Sequence, residues 1–287
     1  MKTRKVFLLS PLILLRSLYL LRTSAIQVSL IALGLASVLL SPFTIMLRIT
    51  LDTVDSTMQY LARPELSACE DSFIVVTADY QTAGRGQKGT SWESEAGKNL
   101  LLGILLRPTF LHPQEQFYLS EICALALVET LNTYTDSFTI KWPNDIYYGN
   151  RKVSGMLLEH TLLGATLSQT IVGIGLNVNQ RTFLSDAPNP VSLYQILGQE
   201  IDREVLLNAF LQRFQAYYQR LEQQDFTAIH TSYLQHLYRR GEWAKFRDET
   251  GIFEGRIVDV EPTGRLIVET TEGALRKFAF KEVAYVI

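Results

Sequence analysis

Cysteine and histidine are scarce in this chain of 287 residues. Cys69 and Cys123 stand far apart, so no disulfide framework and no cysteine-based zinc site can be built. The four histidines show neither an HExxH pattern nor the paired spacing of metal ligands, which excludes metal-dependent hydrolysis by a histidine cluster. Glycine (17) and proline (9) occur at ordinary frequencies, so the chain is neither collagen-like nor disordered.

Acidic residues are absent from the first 51 residues, which contain six basic ones. Within this stretch Thr23–Leu47 is an uncharged and largely apolar run, long enough to cross a bilayer. Taken by itself, the run predicts a membrane anchor or an uncleaved signal. The basic residues before it would hold the N-terminus in the cytoplasm and send the rest of the chain across.

The chain changes character at Asp52 and becomes charged and amphipathic. Without residues 1–45 it has 22 basic and 29 acidic side chains, a net charge of −7. Nonspecific binding to nucleic acid rests on the neutralisation of phosphates by basic side chains, so we expect no nucleic-acid partner.

Hydrophobic periodicity divides the rest of the chain into two parts. Apolar residues at i, i+3 and i+4 predict helices at Pro113–Tyr134 and Leu206–Leu221. Alternating or continuous apolar runs predict strands, at Phe73–Gln81, Asn99–Leu106, Phe138–Trp142, Asp145–Tyr148, Val153–His160 and Thr166–Asn179. After Arg240 short strands alternate with turns, at Ile252–Val260, Leu266–Thr270 and Leu275–Phe280. We therefore expect an α+β domain followed by a small β-barrel.

A glycine-rich loop follows the first of these strands. Gly84–Gly89 matches GxGxxG, but a turn-rich loop and another strand come next, whereas a dinucleotide-binding fold needs a helix there. The loop contains Arg85 and Lys88 and leads to Trp92. Backbone amides, cations and a flat indole suit an anionic ligand that carries a ring. The alternative is a flexible hairpin tip tethered by Trp92.

A second polar cluster interrupts the later strands. Lys141-Trp142-Pro143-Asn144-Asp145 ends an apolar strand, and Lys152 lies on the other arm of the hairpin that follows. The side chains of Asp145 and Lys152 can therefore converge, and a carboxylate beside lysines suits a phosphate with its Mg²⁺. The alternative is an ordinary surface ion pair. Further on, the small residues of Gly173–Asn179 suit a slot for a flat ring, or else mark a β-bulge.

Together these segments resemble the biotin–protein ligases. The resemblance covers about Leu51 to the C-terminus and rests on four motifs in order: DSTMQYL, YQTAGRGQKGTSW, KWPNDIYYGNRKVSGMLLE and GIGLNVN. It implies a class II synthetase-like catalytic domain with a mixed or antiparallel sheet, at residues 46–238, and a small SH3-like β-barrel at residues 239–287.

The resemblance also implies roles for individual residues. Lys152, Arg85 and Asp145 would be catalytic, and Asp145 would be the candidate ligand of Mg²⁺. The implied biotin-binding residues are Ser56, Thr57, Gln81, Gly84, Arg85, Gly86, Trp92, Lys152 and Gly155. The implied nucleotide-binding residues are Trp92, Lys141, Asn144 and Asn177.

The implied reaction consumes ATP with Mg²⁺, forms biotinyl-5′-AMP, and transfers biotin to a lysine of a biotin carboxyl carrier protein. The protein would be a monomer or a homodimer. The 50 residues before the catalytic body are too few and too apolar for the DNA-binding domain of some relatives, so a monofunctional ligase is expected. Two alternatives are a lipoate or octanoate ligase or transferase of the same superfamily, and a non-catalytic, membrane-tethered biotin sensor.

The implied substrates conflict with the apolar N-terminal run. ATP and the unmodified carrier are cytoplasmic, whereas an anchor at Thr23–Leu47 would export the catalytic body. We therefore expect a cytoplasmic protein whose translation starts at Met46, with residues 1–45 an artefact of start-site assignment. The alternative is a true membrane anchor with inverted topology.

Overall fold

The computed structural model describes residues 3–9, 46–67, 73–86, 90–185 and 189–286. Most of the apolar run predicted to cross a membrane lies outside these ranges. Its last two residues, Met46 and Leu47, instead begin a strand of the main sheet, so the predicted segment is wrong at that end. Among the described residues, no helix has both the length and the apolar character needed to cross a bilayer.

Within the described ranges, eight strands form the main sheet, in the order β1-β2-β3-β4-β8-β7-β6-β5. Only β2 and β3 pair in parallel, and the other neighbours are antiparallel. The strands are β1 Thr3–Leu9, β2 Met46–Val54, β3 Phe73–Gln81, β4 Leu100–Leu106, β5 Phe138–Lys141, β6 Asp145–Tyr148, β7 Arg151–Leu163 and β8 Thr166–Leu176. This is the mixed sheet that the resemblance implies.

Helices cover both faces of this sheet, and β4 is therefore buried along its whole length. The helices are α1 Thr57–Leu61, α2 Pro64–Ser67, α3 Phe117–Leu131, α4 Leu193–Leu197, α5 Arg203–Glu222 and α6 Phe226–Gln235. The helix predicted to start at Pro113 begins as a separate 3₁₀ turn, Pro113–Glu115. The apolar stripe on α5 is core, as predicted, because its aromatic and leucine side chains are buried.

Five strands make a separate antiparallel sheet at the C-terminus, in the order β12-β11-β10-β9-β13. They are β9 Trp243–Asp248, β10 Gly251–Val260, β11 Leu266–Thr270, β12 Leu275–Phe278 and β13 Ala284–Tyr285. The sequence predicted β10, β11 and β12 and missed β9 and β13, which lie at the other end of this order. In β9 only Phe246 is buried, so the strand has no apolar pattern to reveal it.

Candidate active site

One cavity of about 970 Å³ lies where the two sheets meet. Twelve of the thirteen predicted site residues line it: Ser56, Thr57, Gln81, Arg85, Gly86, Trp92, Lys141, Asn144, Asp145, Lys152, Gly155 and Asn177. The thirteenth, Gly84, lies directly beside the cavity, and its carbonyl accepts a hydrogen bond from the Trp92 backbone N–H at 3.0 Å. Motifs separated by more than 100 residues therefore converge on one space.

The start of α1 forms one end of the cavity. Ser56 and Thr57 are buried there, and both the backbone N–H and the hydroxyl of Thr57 donate to Oε1 of Gln81, at 2.8 and 3.1 Å. Because the amide oxygen of Gln81 is occupied in this way, its NH₂ group is the part left to donate. This end of the cavity offers hydroxyl and amide groups, which suit a polar, uncharged ring.

The glycine loop folds back on itself as a hairpin. The Gly86 N–H donates to the Thr90 carbonyl at 2.8 Å. The backbones of Arg85 and Ser91 pair as an isolated antiparallel β-bridge. After Trp92 the chain runs through turns into β4 without a helix, so the dinucleotide-binding interpretation is excluded. Residues 87–89 of the loop, which include Lys88, lie outside the described ranges.

Trp92 lies on the floor of the cavity. The indole packs directly on Gly175 of β8, where a Cβ would overlap the ring. The register of β8 with β4 and β7 runs unbroken through Gly173–Leu176, so these glycines do not mark a bulge. Because these glycines have no side chains, the Trp92 indole packs directly on Gly175 and the Met58 side chain packs directly on Gly173.

Lys152 and Asp145 form an ion pair of 2.8 Å across the β6–β7 hairpin, which confirms their predicted convergence. A register shift after Ile146 allows the two side chains to meet although Asp145 pairs with Gly155 along the backbone. The side chains are only 29% and 24% exposed, so the pair is more enclosed than a surface salt bridge. The Lys152 Nζ also lies 5.9 Å from the Trp92 ring centroid.

Lys141 provides a second, more enclosed cation. Its Nζ donates to the Tyr147 hydroxyl at 3.1 Å and lies 4.8 and 5.0 Å from the ring centroids of Tyr147 and Tyr285. Burial lowers the pKa of the Lys141 ammonium group, while the carboxylate of Asp145 opposes that effect. An anionic ligand would compensate this poorly solvated charge.

Three buried polar atoms of the cavity lining have no hydrogen-bond partner among the described residues: Nε1 of Trp92, Oδ1 of Asn177 and the hydroxyl of Tyr285. Buried polar groups are nearly always hydrogen-bonded in native proteins, so these atoms are available to a ligand or to water that enters the cavity. The side chain of Asn144, in contrast, donates to the Met156 carbonyl at 2.9 Å and holds the hairpin together.

Comparison with known proteins agrees with this geometry. Residues 50–177 match the Biotin/lipoate A/B protein ligase family, and residues 245–283 match the Biotin protein ligase C terminal domain. The biotin–[acetyl-CoA-carboxylase] ligase of Paracoccus denitrificans is 32% identical over 209 residues, which cover 69% of this chain and 85% of that protein. This chain belongs to the biotin protein ligase family.

Solved structures of other biotin protein ligases have a fold similar to that of this chain. The biotin protein ligase of Aquifex aeolicus, solved in complex with biotin and ATP, aligns with a TM-score of 0.68 and 30% identity. That alignment covers 83% of this chain and 97% of the Aquifex chain. The bifunctional ligase/repressor BirA of Bacillus subtilis is 32% identical over 205 residues, 69% of this chain. The match spans only 62% of that relative's length.

The C-terminal sheet contributes a wall that sequence reasoning missed. Phe280, Lys281, Val283, Ala284 and Tyr285 all line the cavity. Glu93, Phe183 and Ser185 line the cavity as well. The two carboxylate oxygens of Glu93 each accept a hydrogen bond of 2.8 Å, one from the backbone N–H of residue 184 and one from that of residue 185. None of these residues stands in a local pattern that signals a site. The cavity is therefore lined by residues of the main-sheet region and by residues of the C-terminal region.

Mg²⁺ fits this donor set only together with a nucleotide. Among the described residues no group of three or more His, Cys, Asp or Glu side chains could hold a metal ion. Asp145 offers a single carboxylate. Because Mg²⁺ keeps several waters and binds through one or two carboxylates plus substrate phosphates, this one carboxylate is sufficient when phosphates are present.

Proposed function

We propose that this protein uses ATP to ligate biotin to a lysine of a biotin carboxyl carrier protein or domain. The observation that carries the proposal is the convergence of the predicted residues on one cavity of suitable size, with buried donors and acceptors left for a ligand. Membership of the biotin protein ligase family supports the same substrates. The proposed domains are residues 46–238 for catalysis and 239–287 for the C-terminal β domain.

In the first step, an oxygen of the biotin carboxylate attacks the α-phosphorus of ATP, and pyrophosphate leaves. Lys152 neutralises the two anions that must approach each other, and Arg85 adds a second positive charge from the glycine loop. Ser56, Thr57 and Gln81 orient the ureido ring. Since no protein nucleophile is required, positioning and charge stabilisation supply the rate.

The nucleotide occupies the end of the cavity formed by both sheets. Trp92 and Asn177 use their unpaired polar atoms there, and Lys141 and Asn144 border the phosphates. Asp145 would hold Mg²⁺ together with the phosphates of the nucleotide, and the ion would supply positive charge that stabilises the reacting phosphate.

In the second step, the ε-amine of the carrier lysine attacks the carbonyl carbon of biotinyl-5′-AMP. An amide bond forms, the anhydride bond breaks, AMP leaves, and Asp145 is the candidate acceptor for the proton lost by the amine. The glycine loop, including Gly84 and Gly86, excludes water from the anhydride. Cys123 takes no part, because it is fully buried and burial raises the pKa of its thiol.

The substrates also suggest a compartment. ATP and unmodified carrier protein are cytoplasmic, and we propose a cytoplasmic enzyme. A net charge of −7 for residues 46–287 makes nucleic acid an unsuitable partner.

Mass spectrometry of an unmodified carrier domain tests the proposal. The purified protein is incubated with ATP, Mg²⁺ and the carrier, with biotin, lipoate and octanoate offered in parallel. A mass gain that matches biotin, and that occurs with biotin alone, is expected. A gain with lipoate or octanoate would identify the acyl ligase alternative, and tight biotin binding without any gain would identify a sensor.

A further inference from the structure

The loop that carries two of the proposed site residues borders the cavity and is held by hydrogen bonds to Gly264 and Tyr233, which lie behind the cavity lining. Residues 142–144 connect β5 to β6, and they set the position of Asn144 and of Asp145 at the start of β6. Trp142 is 4% exposed. Its indole N–H donates to the carbonyl of Gly264 at 2.9 Å, and this carbonyl belongs to the β10–β11 turn of the C-terminal sheet.

The turn that accepts this hydrogen bond is itself fixed. Gly264 has a φ of +89° and lies so close to α3 that a Cβ would come within 2.7 Å of the Phe117 ring. A side chain at this position would be strained and would also clash, so glycine alone allows the contact. The Phe280 ring packs against Trp142 as well, with centroids 6.1 Å apart. This packing fixes the position of the Gly264 carbonyl, which accepts the hydrogen bond from Trp142.

A second hydrogen bond holds the same loop from helix α6. The hydroxyl of Tyr233, a fully buried residue, donates to the carbonyl of Pro143 at 3.0 Å. One turn earlier on α6, His230 bridges Glu121 of α3 and Asp259 of β10, at 2.8 and 2.9 Å. The C-terminal sheet thus reaches the loop directly through Gly264 and indirectly through α6.

We propose that Trp142 and Tyr233 are positioning residues, through which the C-terminal sheet fixes the loop that carries Asn144 and Asp145. This inference rests on the proposed ligase function. Reaction rates are sensitive to the placement of catalytic groups, and a displacement of about 1 Å can cost about 100-fold. Neither hydrogen bond reaches the ring-binding end of the cavity, so loosening the loop slows chemistry without weakening biotin binding.

Trp142→Phe tests the inference because it keeps an aromatic ring and removes the N–H donor. Trp243→Phe is the matched control, since Trp243 lies 47% exposed on the outer side of β9. We expect Trp142→Phe to lower kcat for biotin-dependent ATP–pyrophosphate exchange by about tenfold, with the Kd for biotin changed less than about twofold. Tyr233→Phe should act in the same direction, and Trp243→Phe should leave kcat unchanged.

Hydrogen–deuterium exchange of residues 142–148 provides a readout that does not depend on catalysis. Trp142→Phe should speed exchange there, whereas Trp243→Phe should not. Variants whose kcat and exchange both match the wild type would overturn the inference, as would a parallel loss of kcat and biotin affinity. A wild-type protein without biotin-dependent activity would refute the proposed function, and the deuterium experiment would still decide whether Trp142 fixes the loop.

Discussion

The bridge through His230 gives a stability prediction with a defined pH dependence. Its Nδ1 faces Glu121, whose side chain is 1% exposed, and its Nε2 faces Asp259, 48% exposed. Hydrogen bonding to Glu121 is the largest influence, and with the charges of both carboxylates it outweighs burial and raises the pKa of His230 to about 9. Tyr118 packs nearby, and burial together with the same carboxylates raises the pKa of its hydroxyl.

The rise in the His230 pKa determines how much the bridge adds to the free energy of unfolding and over which pH range it does so. Unfolded histidine titrates near ~6.5, and a rise to about 9 corresponds to at most about 3 kcal/mol of unfolding free energy. Solvent around Asp259 screens part of this, and burial raises the pKa of the Glu121 carboxyl and so opposes the charged bridge; we therefore expect about 1–2 kcal/mol. Because the folded pKa is the higher one, the contribution is complete below about pH 6.5, declines as the pH rises, and is lost above about pH 9.

His230→Gln removes the charge while keeping a hydrogen-bond donor. At pH 6 we expect its thermal midpoint to lie about 3–6 °C below that of the wild type, and at pH 10 the two midpoints should nearly coincide. His236→Gln is the control, because the Nδ1 of His236 bonds to the Ser232 carbonyl rather than to a carboxylate. A midpoint difference that stays constant between pH 6 and pH 10 would refute the assignment of a charged bridge.

Three further predictions concern the cavity. Lys152→Ala should reduce biotin-dependent ATP–pyrophosphate exchange by about 100-fold or more while circular dichroism stays unchanged, since the lysine stabilises charge and is not core; near-normal exchange would remove Lys152 from the mechanism. Gly175→Ala should weaken biotin binding by at least about tenfold in calorimetry, because the new methyl group would overlap the Trp92 ring and displace it from the cavity lining; an unchanged Kd would show that biotin does not contact Trp92. Lys141→Met should raise the KM for ATP and leave the Kd for biotin unaltered, because it removes only the enclosed cation next to Tyr147 and Tyr285; a change in biotin affinity instead would place Lys141 at the other end of the cavity.

The pairing of Asp145 with Lys152 was predictable from sequence because it is local. The two residues are separated by one short hairpin, so the turn alone brings their side chains to one place. Burial of Cys123 was predictable for a similar reason, since it stands in a continuous apolar pattern on α3. The bulge after Ile146 was not predictable, because no residue type there demands one.

The C-terminal wall of the cavity could not be predicted, and the reason is physical. Tyr285 lies beside Lys141 although 144 residues separate them in sequence, and its strand β13 has two residues and no periodicity. Trp142 illustrates the same limit in another way. The motif that contains it is recognisable, but only the packed structure shows that its N–H turns away from the cavity to Gly264. Since Lys141 and Trp142 are neighbours, one short segment both borders the proposed nucleotide end of the cavity and contacts the C-terminal sheet. Any movement of that sheet must therefore change the geometry at which the proposed phosphates are held.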